Sequence, residues 1–150
     1  MKPDILSLLQ HIAATVHRQA DQTMQERLGI GIAQFRLLAT LQEQPHVQQR
    51  FLADSLGQTE ASISRQVKLL QVRGLLGVQV DSRNKRRHIM VLSAKGIKFT
   101  DAAREIADAY SAPVLGRLGD KEQEQLAQML QHLHMQCCRE GKPYACDLSQ

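Results

Sequence analysis

Apolar residues recur at helical spacing from the beginning of the chain. Ile5, Leu8/Leu9, Ile12, Val16, Ala20, Met24 and Leu28 fall three or four apart, which draws one stripe along a long helix. Pro3 near its start and Gly29 past its end suit the two termini. Gly31 opens a second helix with Phe35, Leu38 and Leu41 facing inward. It stops before Pro45, because the residue ahead of a proline avoids helical backbone. A third helix is expected from near Val47 to Gly57, carrying Phe51, Leu52 and Leu56. The fourth takes Thr59 as its N-cap and runs to about Arg73, with Ile63, Val67, Leu70 and Leu69 expected on its buried face.

After Gly74-Leu75-Leu76 the period changes. Val78-Gln79-Val80-Asp81 alternates as a strand does, Ser82-Arg83-Asn84-Lys85-Arg86-Arg87 makes a basic tip, and His88-Ile89-Met90-Val91-Leu92 returns. Ser93 suits the N-cap of a fifth helix carrying Ile97, Ala102/Ala103, Ile106 and Tyr110, which Pro113 bends or ends. A sixth follows Asp120, with Leu126, Met129/Leu130 and Leu133 along one side, and the tail 141–150 is expected to be loose. The chain therefore predicts a mainly α fold of about six helices plus a small antiparallel β-hairpin. The order helix, turn, helix, hairpin is a winged helix-turn-helix, suited to placing one helix in a DNA groove and a cationic finger on the backbone beside it.

Length and composition keep this picture within one domain. A chain of 150 residues, 43% hydrophobic and 23% charged, builds a single core. Aromatics at 3% and no Trp argue against a sheet sandwich. The first, fifth and sixth helices nevertheless carry more apolar stripe than the remaining elements can cover. A homodimer would bury it, with 1–30 and 99–140 as the dimerisation part and 31–98 as the reading head. An ordinary intramolecular bundle is the alternative.

Charge distribution adds the partner. The net charge of +4 says little, but residues 48–98 hold ten Lys/Arg against three Asp/Glu, a net of +7, while the rest hold nine against twelve, a net of −3. All the positive excess lies where the helix-turn-helix and hairpin lie, as expected where phosphates are met. On the fourth helix the exposed face would show Thr59, Glu60, Ser62, Ser64, Arg65 and Lys68. Short hydroxyl side chains allow close approach, Arg65 can fork onto a guanine edge, and Lys68 suits a phosphate. Gln58 and Gln66 are further candidate contacts. Arg83, Lys85, Arg86 and Arg87 crowd four cations into five positions, a density that repels itself unless a polyanion offsets it.

These residues meet a known pattern. Leu52-Ala53-x-x-Leu56-Gly57-x-Thr59-x-x-Ser62-Ile63-Ser64-Arg65-x-Val67-x-x-Leu70-x-x-x-Gly74-Leu75-Leu76 resembles the helix-turn-helix of MarR-type regulators. Asp81-x-Arg83-Asn84-x-Arg86-Arg87 followed by Val91-Leu92-Ser93-x-x-Gly96 resembles that family's wing and the start of its next helix. The resemblance covers residues 31–98 and, by layout only, the flanking helices. It implies a homodimeric, cytoplasmic transcriptional regulator, by family habit a repressor, that binds a palindromic double-stranded operator and is released by a small-molecule or stress signal. By matched position Ser62, Ser64 and Arg65 would be recognition contacts and Arg86 the wing residue. The family usually has Asp where this chain has Asn84. Asp81 can substitute, which leaves the wing contact open between Arg83, Arg86 and Arg87.

The input half is less legible. His11, His17, Arg18 and Arg36 are candidate polar groups for an effector pocket at the junction of dimer helices and reading head. His132, His134, Cys137, Cys138 and Cys146 cluster near the end. His134, Cys138 and Cys146 are the candidates for a metal, and the thiols for redox sensing, against inert reduced thiols. No cofactor is expected. Three cysteines do not make a disulfide framework, and nothing approaches a membrane span or an export signal. No phosphate-cradling glycine loop, nucleophile elbow or zinc-protease His pair occurs, so an enzyme is not expected. A winged helix that binds protein instead of DNA is the remaining rival.

Overall fold

The structure, a computed structural model, describes residues 4–138 and the side chains of residues 4–136. Pro3, the side chains of Cys137 and Cys138, and the tail with Cys146 lie outside the described residues. Eight elements follow in order: α1 (Ile5–Leu28), α2 (Ile32–Glu43), α3 (Gln49–Leu56), α4 (Glu60–Val72), β1 (Leu76–Asp81), β2 (Asn84–Leu92), α5 (Ala94–Leu115) and α6 (Asp120–Cys138). The fold is mainly helical, with one two-stranded antiparallel sheet.

Short polar residues start the helices. Asp4 caps α1 by accepting from the Ser7 N–H at 3.3 Å and from the Ser7 hydroxyl, which together hold its carboxyl below the usual range. Thr59 caps α4 through the Ser62 N–H at 3.2 Å, and Ser93 caps α5 through the Gly96 N–H at 2.9 Å. Gly29 and Gly57 close α1 and α3 at φ 65° and 63°, a left-handed conformation that glycine adopts without penalty.

The core gathers α2, α3, α4 and the base of the hairpin. Leu37, Leu38, Leu41, Leu52, Ile63, Val67, Leu70, Leu75 and Met90 are all buried. Along α1 the only buried residue is Met24, so that helix joins the core at its C-terminal end. Leu69 was expected inside and is 57% exposed. Ile63, Val67 and Leu70 already fill the inward stripe, and Leu69 stands about 100° round the helix from Leu70.

Two other expectations are corrected, and the choice at Pro113 between a bend and an end is narrowed. Val47 belongs to no helix: its carbonyl accepts the Met90 N–H at 2.9 Å as an isolated antiparallel bridge, and α3 begins only at Gln49. Pro113 does not end α5, which continues to Leu115. The proline lies in the last turns, where the carbonyl it leaves free, that of exposed Ala109, can meet water. The basic segment is also not all tip. The turn is Ser82–Arg83. Asp81 pairs with Asn84 and Val80 with His88, so Lys85, Arg86 and Arg87 bulge from the ladder along β2.

Two sets of contacts tie the end of α4 and the segment after it to α5 and to α1. Ser93 donates its hydroxyl to the Gly74 carbonyl at 2.6 Å and its N–H to the Leu75 carbonyl at 3.0 Å. Gly96 then packs so closely that a Cβ there would lie 1.8 Å from the Leu75 carbonyl oxygen. At the end of α4, Arg73 donates to the Gly29 and Leu28 carbonyls at 2.7 and 2.9 Å and lies over the Phe99 ring, 5.4 Å from its centre. A guanidinium is well matched to the carbonyl-rich end of a helix and to an aromatic face.

The rest of the molecule is open. Ile5, Leu6, Leu8 and Ile12 of α1, Val114 and Leu115 of α5, and Met129, Leu130, Leu133 and Met135 of α6 are exposed. No side chain described in α6 is buried.

Candidate nucleic-acid interface

The turn at Gly57 carries the chain from α3 into α4, with Gln58 between them and Thr59 as the cap. Burial of Ile63, Val67 and Leu70 rotates the opposite side of α4 outward. Thr59, Glu60, Arg65 and Lys68 are exposed, and Ser62, Ser64 and Gln58 are half-buried. Ser62 and Gln66 do not stand free: both bond to the Gln58 side-chain oxygen, Ser62 at 3.1 Å and Gln66 at 2.7 Å.

The hairpin is braced by its own short polar side chains. Asp81 accepts the Arg83 N–H at 2.9 Å, and Asn84 accepts the Arg86 N–H at 3.1 Å. The Asp81 carboxylate also stands 3.9 Å from the Arg87 guanidinium, a long pair with Arg87 half exposed. Asn84 thus works through a backbone bond, while Asp81 provides the ion pair. Arg83, Lys85, Arg86 and Arg87 are all exposed.

Helix and hairpin meet across one cleft of about 660 Å³. Lys68 of α4 lines it together with Arg86 and Arg87 of β2. Arg50 of α3 and His88 complete the basic wall, and Glu60 is the one acid. Cations from α4 and from the hairpin therefore share a side of the molecule, where their fields add. Arg50 and His88 were not singled out in the sequence. Arg50 counted toward the basic excess, but only the fold turns the start of α3 toward the hairpin.

The groups considered for signal input are scattered. His11, His17, Arg18 and Arg36 are exposed on α1 and α2, and none lines a cavity described here. His134 is half-buried on α6. Among the described residues no group of three or more His, Cys, Asp or Glu could hold a metal ion. No helix among them is long and apolar enough to cross a membrane.

Known proteins resemble this chain in sequence and in fold. Residues 28–88 match the model of the MarR family. Transcriptional regulator HosA of Escherichia coli O157:H7 is 28% identical over 124 residues, spanning 83% of this chain and 86% of its own length. HTH-type transcriptional regulator BilQ of Clostridium symbiosum is 27% identical over 108 residues, 72% of this chain and 75% of BilQ. Among solved structures, the S. aureus MepR–DNA complex superposes with a TM-score of 0.78 at 25% identity, over 88% of this chain and 97% of that one.

Proposed function

We propose that this chain is a transcriptional regulator of the MarR family, whose model it matches over residues 28–88, and that it works as a homodimer that binds a palindromic double-stranded operator and represses transcription. The observation that carries the reading is the shared cleft, where Lys68 faces the same space as Arg86 and Arg87. In that reading α4 lies in the major groove. Gln58, Thr59, Ser62, Ser64 and Arg65 stand at its edge, and Lys68, Arg50 and Arg87 meet the phosphates between helix and hairpin. The hairpin follows the adjoining minor groove, where Arg83, Lys85 and Arg86 find the negative potential that favours inserted cations.

The unit is proposed to divide into a head, 31–98, and a dimerisation part, 1–30 with 99–140. The exposed apolar residues of α1, α5 and α6 support that division, since a second copy would cover them. A small-molecule or stress signal that favours a different spacing of the two heads would release the operator. His11, His17, Arg18 and Arg36 are the groups proposed to meet it.

Selection of bound duplexes from a random library tests this directly. The expected product is a palindrome with half-sites about one helical turn apart, roughly 10 base pairs. Enrichment of single, asymmetric sites would overturn the dimer reading, and no enrichment would overturn sequence-specific DNA binding.

A further inference from the structure

The junction of α3 and α4 carries a closed set of hydrogen bonds whose direction limits what it can read. Gln58 Oε1 accepts twice, from the Ser62 hydroxyl at 3.1 Å and from Gln66 Nε2 at 2.7 Å. An amide oxygen has two lone pairs, so Gln58 has no acceptor left to offer. The Ser62 hydroxyl commits its one proton to Gln58 and accepts from Gln66 Nε2 at 3.2 Å, which leaves it a single lone pair. Gln66 bears the cost of this arrangement: its own Oε1 is buried without a partner among the described residues. Turning both amides over would bury an unpaired NH2 in that place. An orphaned donor is rarer in folded proteins than an under-satisfied carbonyl, so the observed direction is the favoured one.

We infer that Gln66 is a positioning residue that sets the hydrogen-bond polarity of the reading edge, holding Gln58 as a donor and Ser62 as an acceptor toward the duplex. The inference rests on the DNA-binding reading above. A glutamine free to turn reads adenine by accepting from N6 and donating to N7. Gln58 cannot do so, because its acceptor is occupied within the protein. Its NH2 matches guanine N7 and O6, and the remaining Ser62 lone pair matches the cytosine amine beside them. Adenine can still be met, its N7 by the Gln58 NH2 and its N6 by Ser62, but G·C offers one acceptor more, so this pair of residues favours G·C.

The full chain and two variants test this in a random-duplex selection followed by binding titrations. Gln66→Met keeps the side-chain length, removes the donor and also removes the stranded carbonyl, so its melting temperature is expected to hold or rise. Wild type is expected to prefer G·C over A·T at one position of each half-site by about tenfold, and Gln66→Met to reduce that ratio to within about threefold. Gln66→Glu can only accept, so it draws the Gln58 NH2 inward and turns Oε1 outward; the preferred base should move to one that displays a donor. A wild-type profile that persists in either variant overturns the inference, as does parallel weakening on all duplexes with the profile unchanged. Wild type that enriches no sequence defeats DNA reading itself, an outcome separate from binding with an unaltered profile.

Discussion

At the scale of single residues, two positions have sharply different kinds of consequence. A methyl group at Gly96 would overlap the Leu75 backbone, 1.8 Å from its carbonyl oxygen, and no side-chain rotation relieves a clash with backbone. Gly96→Ala should cost at least the roughly 1–3 kcal/mol typical of overpacking, read as a lower urea midpoint. An unchanged midpoint would mean that α5 can slide away from β1. Arg65 is exposed on α4. Arg65→Ala should leave the midpoint alone but weaken operator binding by roughly tenfold to a hundredfold and broaden base preference in mobility-shift titrations. Both residues were visible in the sequence, Arg65 by helical spacing and Gly96 by its place after Ser93. The reason for Gly96 was not visible, because it lies in contact with Leu75, a residue of the connection between α4 and β1 that is distant in sequence. The bonds among Gln58, Ser62 and Gln66 were hidden for a related cause: spacing puts residues on a face but does not say which way an amide turns.

At the scale of elements, the hairpin separates charge from shape. Arg86 adds a cation to the cleft, whereas Asp81 adds none and instead holds the Arg83 backbone and the Arg87 side chain. Arg86→Ala should lower affinity on all duplexes and reduce the slope of log affinity against log salt by about one. Asp81→Ala should also lower affinity, by loosening the hairpin, yet keep or steepen that slope because every cation remains. Equal slopes for the two variants would contradict the division of labour. The strands themselves were legible from alternation at Val78–Asp81, and the helices from apolar steps of three and four. Less legible were features that depend on side chains bonding to local backbone or on pairing across sequence. The bulge at Lys85–Arg87 follows from the brace at Asn84, and the removal of Val47 from α3 follows from its bridge to Met90. Pro113, expected to bend or end α5, does not end it, because near the end of a helix its penalty falls on few bonds.

At the scale of the molecule, the core is concentrated in the head while the long helices are left partly bare. Leu130 and Leu133 are exposed on α6 and Leu8 and Ile12 on α1, a distribution that follows directly from the stripes in the sequence. In the proposed homodimer, Leu130→Glu combined with Leu133→Glu should shift sedimentation from two copies to one and abolish binding to a palindrome while sparing weak binding to random duplex. A pair that sediments unchanged would place the contact elsewhere. The bareness of α6 reaches further than assembly. A helix none of whose described side chains is buried holds its shape only marginally in water. Its integrity would then be borrowed from a neighbour and governed by mass action, so the melting temperature should climb as the sample is concentrated. In a cell, the abundance of such a regulator would be an ingredient of its own architecture: scarce copies would be less completely folded, and only above a threshold number would the molecule exist as a finished object.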